Sequence, residues 1–470
     1  MSSKKTVNHI FEVALSNVVS IISGVLIGLL LPKVISLDDY GLYKTFTLYL
    51  TYVGFFSLGI IDGIVLEYGG HDLESLNKKL FRAYWKWYEV IHVSFCIILL
   101  LVSVLCIKGE YKFIFCMISI NMIANNFTGY YQQLSQITQR FNEYSLRKVI
   151  QSVSNILIVV VLYILSHNGK TVTYRPYVLL SVALNVILAI WYIFTYRELV
   201  LGERLRLKET APQIVHLMNI GFPLLFANLC STLILTIDRQ FVNFLFDNTT
   251  YAVYAFAYNL LSLVTVATSA IAVVIYPILK RSNEDKLKEY YPLLNEVILL
   301  FIFLALAGYF PLTAFIDVYL PKYSDSLPIF RIIFPGIAVS TSITVIMHNY
   351  YKTIGKNLVY FKKSIIVLVI SALANALAYM TFQSTYAISI ASIITMIIWY
   401  VFVEQFFVKL YKVNRKRNLL YLLLMMVIFY LVTSVENWIL GLGVYIVCYI
   451  AIAVIFYGKT KNQIISIIKK

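Results

Sequence analysis

Long apolar runs separated by short charged segments make up almost the whole chain. A helix needs about 20 mainly apolar residues to cross a bilayer. Charge-poor runs of that length predict spans near 13–32, 42–66, 88–107, 113–137, 149–166 and 176–196, then near 213–237, 250–279, 293–318, 328–351, 364–382, 386–408, 418–435 and 437–457. Ser364–Val403 carries no charge over 40 positions, enough for two spans, and a break is expected at Gln383-Ser384-Thr385. The third span has the least defined start, because Phe81–Glu89 reads as an interfacial aromatic and basic segment. The pattern predicts an all-α integral membrane protein of about 14 transmembrane helices.

Composition closes off other classes. Of 470 residues, 60% are apolar and 13% charged, and the mean hydropathy is +0.79. Soluble domains average about 45–50% apolar and about 25% charged. The net charge of +16 sits in the segments between spans, where it sets orientation; no nucleic acid partner is expected. With the N-terminus cytoplasmic, thirty of the 39 Lys and Arg lie inside. Seven lie outside: Lys33, Lys108, Lys112, Lys170, Arg175, Arg239 and Lys322. Lys44 and Arg331 remain within spans, and both termini are expected in the cytoplasm. The basic N-terminus precedes an apolar run with no small-residue cleavage site, so the first span is read as retained. Cys96, Cys106, Cys116, Cys230 and Cys448 all fall in apolar stretches and read as packing residues.

The longest polar connection, Arg197–Gln213, divides the chain. The expected organisation is a six-helix lobe over 1–197, a cytoplasmic linker over 198–213, a second six-helix lobe over 214–412, and two further helices with a tail over 413–470. Internal similarity supports pseudo-symmetric halves. Asp39-Tyr40-Gly41-Leu42-Tyr43 is echoed by Thr250-Tyr251-Ala252-Val253-Tyr254, and Tyr130-Tyr131 by Tyr350-Tyr351.

Polar side chains in hydrocarbon are costly, so they should face protein or water. Helical spacing puts His9, Glu12, Ser16, Ser20 and Ser23 on one stripe, and Lys44, Thr51 and Asp62 on another. Span four carries Asn121, Asn125, Thr128, Gln132, Gln136 and Gln139; later stripes hold Asn228, Thr232 and Arg239, then Tyr254, Tyr258, Ser262 and Thr265, then Arg331, Ser342 and Asn349. Spans three, nine and eleven look more uniformly apolar. The expectation is a hydrated cavity between two bundles, with Ser20, Thr51, Asn121, Asn125, Gln132, Asn228, Thr232, Tyr258 and Ser342 in its lining. Helix-to-helix hydrogen bonding is the competing use of such residues. Lys44, Arg239 and Arg331 lie toward the outer side and suit a phosphate, unless they reach the headgroups instead. Asp62, within Gly59-x-x-x-Gly63, and Glu67 are candidates for ion coupling. Asp238 is expected to pair with Arg239, and Glu404 to reach water. Pro223, Pro311 and Pro335 are candidate bends.

No phosphate-binding loop, Cys/His cluster or nucleophile elbow is present, and no loop is long enough for a catalytic domain. Neither enzymatic activity, a catalytic residue, a metal site nor a cofactor is expected.

Several segments resemble polysaccharide-biosynthesis flippases of the Wzx type: Leu31-Pro32 with Asp39-Tyr40-Gly41-Leu42-Tyr43, then Gly221-Phe222-Pro223, Asp238-Arg239, Tyr251-Ala252-Val253-Tyr254 and Tyr276-Pro277. Pro321-Lys322-Tyr323, Leu327-Pro328-Ile329-Phe330-Arg331, Tyr351-Lys352 and Gly355-Lys356 extend the resemblance over about the first 400 residues. It implies the multidrug/oligosaccharidyl-lipid/polysaccharide (MOP) exporter superfamily, with two six-helix lobes that open alternately to each side. It further implies a bacterial inner-membrane flippase moving an undecaprenyl-pyrophosphate-linked oligosaccharide, an O-antigen or capsule repeat unit, to the periplasmic leaflet. Membrane lipid and other polysaccharide-assembly membrane proteins are the implied partners. The lipid II flippases of that superfamily carry several arginines on span one; this chain has none there. The alternatives are a drug or organic-cation antiporter of the same superfamily, which the cationic candidates disfavour, and a non-transporting partner in polysaccharide assembly.

Overall fold

The computed structural model describes residues 3–458 except 414, and their side chains other than those of residues 3–11, 14, 264–274 and 276–278. The expected tail beyond 458, and the stripe positions His9 and Thr265, lie outside that description.

Among the described residues every regular element is helical. The first half comprises α1 (Ser3–Val34), α2 (Leu37–Leu50), α3 (Ile60–Tyr68), α4 (Lys78–Cys106), α5 (Gly109–Ile137), α6 (Phe141–His167) and α7 (Tyr174–Thr195). It is followed by α8 (Leu207–Ile234), α9 (Ile237–Leu245), α10 (Asn248–Arg281), α11 (Glu284–Ala305), α12 (Tyr309–Tyr319), α13 (Leu327–Ile333), α14 (Gly336–Thr341) and α15 (His348–Thr353). The chain ends with α16 (Asn357–Phe382), α17 (Thr385–Tyr411), α18 (Arg415–Val432) and α19 (Trp438–Tyr457). Nine helices among the described residues are long and apolar enough to cross a membrane, or eleven if each of two bent pairs is one span. Three expected spans, at α5, α10 and α18, are helical but fall outside that count among the described residues. The asparagines and glutamines of α5 dilute its apolar content, and α18 opens on Arg415-Lys416-Arg417.

The helix boundaries follow local chemistry. Ser36 caps α2, Asn77 caps α4, Asp247 caps α10 and Asn283 caps α11, each side chain accepting a backbone N–H that has no partner within its helix. The break expected near 383 falls where Gln383 takes a left-handed φ of 46° and Ser384 starts α17. The second expected span is broken: Leu58 and Gly59 adopt φ of 53° and 80°, and the chain turns by 56° into α3. Span ten turns by 53° at Pro335, which cannot donate a helical hydrogen bond, and then opens into a π-helix at Ser342–Met347. A short 3-10 turn, Leu306–Gly308, precedes Pro311, whereas Pro223 sits within continuous helix. The aromatic segment at 81–89 is the interior of α4, with Phe81, Trp85 and Tyr88 buried.

The chain divides into two compact units, Met1–Leu229 and Cys230–Lys470, with the division inside α8. In the first unit α1 packs along α6, and α5 lies against α2, α4 and α7. In the second, α17 packs on α13, α14 and α16, α10 on α13 and α15, and α19 on α11, α12 and α18. Each unit has an aromatic cluster at matching points of its sequence. In the first, Tyr131 packs on Trp85 of α4 and stacks on Tyr192 and Tyr196 at the end of α7. In the second, Tyr350 packs on Tyr291 of α11 and on Phe407 and Tyr411 of α17.

Candidate functional site

In the first unit Lys44 lies half-buried on α2, its ammonium 5.2 Å from the Tyr40 ring centre and 5.4 Å from that of Tyr43. Electron-rich rings favour a cation at that range. Thr51 is exposed at the end of α2 and bonds back to the Leu48 carbonyl. Ser20, Asn125, Gln132 and, on α8, Asn228 are half-buried. Asn121 is 1% exposed and accepts from Asn185 of α7, which in turn accepts from Gln151 of α6 at 2.8 Å. That amide chain joins three helices of the unit, so Asn121 serves helix packing. Asn126, which its stripe did not include, donates to the Val53 carbonyl at the break after α2.

The backbone of α3 touches that of α8. A Cβ on Gly63 would stand 2.2 Å from the Leu217 carbonyl oxygen, and one on Gly221 would stand 2.0 Å from that of Gly59. Asp62 is half-buried beside this crossing. Glu67, one turn further on, is exposed and lies 3.6 Å from His216 of α8, at the mouth of a cavity of about 260 Å³ lined also by Tyr68, Tyr84 and Pro212. The segment after α7 is docked rather than loose. Arg82 of α4 donates to the Glu198 and Glu203 carbonyls, and Lys78 and Lys79 pair with the two carboxylates. Lys78 holds the Glu198 carboxyl below the usual glutamate range.

In the second unit the most developed polar site surrounds Asp238 on α9. Its carboxylate is 1% exposed and accepts from the Tyr254 hydroxyl at 2.8 Å, from the Tyr258 hydroxyl, and from the Arg239 backbone N–H at 2.7 Å. The expected pairing with the Arg239 side chain does not form. That guanidinium lies 4.5 Å from the Tyr258 ring centre and donates to the Leu235 carbonyl. Its Nε is buried without a partner among the described residues. Arg239, Tyr258, Ser262 and Ser340 line a cavity of about 200 Å³. Thr232 is half-buried on α8, and Ser342 is fully buried, bonded to the Ala338 carbonyl where the π-helix begins.

Arg331 is in a different cavity from Arg239. Its Nε donates to Thr433 at 2.8 Å and an Nη to the Tyr430 carbonyl at 2.5 Å, both beside the end of α18. Spans nine and eleven are less uniformly apolar than expected. Glu296 on α11 is buried and paired with Arg417, and on α16 Ser371 and Asn375 are buried, with Asn375 accepting from Ser392 of α17 at 3.3 Å. Glu404, expected to reach water, is instead 1% exposed and accepts from the Tyr400 hydroxyl at 3.1 Å. The three-residue spacing of Ser389, Ser392 and Thr395 within the charge-free stretch was the signal for this polar seam.

A family profile described as polysaccharide biosynthesis protein matches residues 7–283. Among solved structures, the lipid II flippase MurJ in an inward closed conformation aligns with a TM-score of 0.71 at 15% identity, over 96% of this chain and 99% of that one. An inward-facing multidrug resistance MATE family transporter of the MOP superfamily aligns at 0.63 and 12% identity, over 85% and 96%. A MOP superfamily transporter from Pyrococcus furiosus, described as having a binding pocket of reverse polarity, aligns at 0.52 and 13% identity, over 86% and 96%. No curated protein matches the chain. At these identities the likeness is one of fold, and the family match spans more than half of the residues.

Proposed function

Because the chain belongs to the polysaccharide biosynthesis protein family and has the MOP superfamily fold, we propose that it is a flippase for a lipid-linked oligosaccharide. The observation that carries this reading is the family match over residues 7–283. The finer reading is an undecaprenyl-pyrophosphate-linked repeat unit of O-antigen or capsule, moved from the cytoplasmic to the periplasmic leaflet of a bacterial inner membrane by alternating access. Two six-helix lobes, over 1–197 and 214–412, and two added helices are the organisation we assign, with both termini cytoplasmic. Lys44 in the first unit and Arg239 in the second are the cations we assign to the pyrophosphate, since each is half-buried and held against tyrosine rings toward the expected outer side. Half-buried Ser20, Asn125, Gln132, Asn228 and Thr232 suit sugar hydroxyls, which need both donors and acceptors. Asp62 and Glu67, beside the contact of α3 with α8, are where we place ion coupling.

A second reading, antiport of an organic cation, draws on the buried Asp238 and Glu404, because a cation-driven exchanger needs an acid within a lobe. Cells that lack the protein distinguish the two. The flippase reading expects the lipid-linked oligosaccharide to accumulate with its sugar on the cytoplasmic face, while tolerance of cationic dyes is unchanged. Normal surface polysaccharide together with dye sensitivity would favour the antiporter.

A further inference from the structure

Arg331 joins α13 to α18 through neutral acceptors alone, as Arg82 joins α4 to the segment after α7, whereas other arginines are ion-paired. Arg147 is paired with Glu143, Arg175 with Glu110 and Arg417 with Glu296. Among the described residues no carboxylate pairs with Arg331; its bonds go to a threonine hydroxyl and a peptide carbonyl. Those neutral acceptors fix the plane of the guanidinium but leave its charge uncompensated, and a half-buried cation without a counter-charge favours an anion. The cavity in front of it, about 420 Å³, is lined by Tyr309, Leu327, Pro328, Arg331, Ile332, Tyr430 and Thr433, so Arg331 is its one charged wall among the described residues. The Tyr309 ring and the aliphatic residues give the rest an apolar surface suited to hydrocarbon.

The distribution of basic residues puts this end of α13 and α18 at the outer face of the membrane. The anions available at that depth are lipid phosphates. We propose that the cavity between α12, α13 and α18 binds the phosphate of a membrane lipid on Arg331, with the start of its chains against Tyr309 and Leu327. Two sources share this chemistry. One is an anionic phospholipid of the outer leaflet. The other is the pyrophosphate of a polyprenyl-linked substrate, and that source alone rests on the flippase reading.

The test is lipid binding to the purified full-length protein in detergent, followed by intrinsic fluorescence. The probes are short-chain phosphatidylglycerol, farnesyl pyrophosphate and, as a phosphate-free control, short-chain diacylglycerol. Saturable binding of at least one phosphate lipid is expected, with none of the diacylglycerol. Arg331→Gln removes the charge but also loosens the contact with α18. Leu327→Trp leaves both bonds of Arg331 in place and fills the cavity. Each variant is expected to weaken phosphate-lipid binding by about tenfold or more, as loss of a charge-assisted contact does. Binding of phosphatidylglycerol alone identifies a resident phospholipid, and preference for the pyrophosphate identifies the substrate headgroup. Equal binding by wild type and both variants, or equal binding of diacylglycerol, would overturn the site. Because binding is read without transport, the site stands if no lipid is translocated, and the flippase reading stands if the site fails.

Discussion

Asp238 loses its hydration on burial, and two tyrosine hydroxyls and a backbone N–H replace it. Removing one donor leaves a buried carboxylate partly unsatisfied, which costs about 1–3 kcal/mol. Tyr258→Phe and Tyr254→Phe are each expected to lower stability by that order, read as a lower thermal unfolding midpoint of the purified protein. Unchanged midpoints would mean that water reaches the carboxylate. Outside the membrane, the Tyr174 hydroxyl and then the Arg175 guanidinium hold the Glu110 carboxyl below the usual glutamate range. A depressed folded pKa contributes stability above the ordinary value, lost as pH falls through the lower one. Amide protection relative to intrinsic exchange at the starts of α5 and α7 should therefore be steady near about pH 6 and weaker below about pH 4, with Glu110→Gln abolishing the difference. Spacing alone made Tyr254 and Tyr258 legible as one face of a helix. It did not reveal that the face meets Asp238, because Asp238 lies on α9, a separate short helix set off from α8 by a turn. A carboxylate beside an arginine in sequence suggested an ion pair, whereas backbone geometry aims the two side chains at different partners.

Glycine spacing was a better guide among the helices. Gly59 and Gly63 were readable as a close-packing pair, and they are where α3 meets α8 with no room for a side chain. Gly63→Ala and Gly221→Ala are expected to force the two helices apart, at about 1–3 kcal/mol each. Gly129, within α5, has open space within 4 Å of the point where a methyl group would stand, and Gly129→Ala should be neutral or slightly stabilising. Unfolding midpoints of the three variants check this, and equal effects would refute the close contact. Pro335 was legible as a bend for the same elementary reason, a missing N–H. The π-helix after it was not, since it depends on how span ten packs on α10, α11 and α17. Polar stripes were legible as stripes but not by destination. Asn121 turned toward α7 and α6, because a neighbouring amide satisfies it as well as water does.

Across the whole molecule the two-fold repetition is carried by caps and aromatics. Ser36 and Asp247 cap helices whose next residues include Tyr40 with Tyr43 and Tyr251 with Tyr254. The clusters around Tyr131 and Tyr350 recur in the same way. Short motifs betrayed this repeat because caps and aromatic anchors constrain residue type, whereas lipid-facing positions accept any apolar residue. The substrate is less constrained by fold, which the family shares with transporters of other cargo. The most direct test of the flippase reading is translocation in proteoliposomes, with an undecaprenyl-pyrophosphate oligosaccharide and a cationic dye as rival cargoes. Wild-type protein is expected to move the saccharide lipid between leaflets and to move no dye. Lys44→Ala and Arg239→Ala, each of which removes a charge offered to the pyrophosphate, should each lose about tenfold or more of that rate. Dye movement without transfer of the saccharide lipid would contradict the reading.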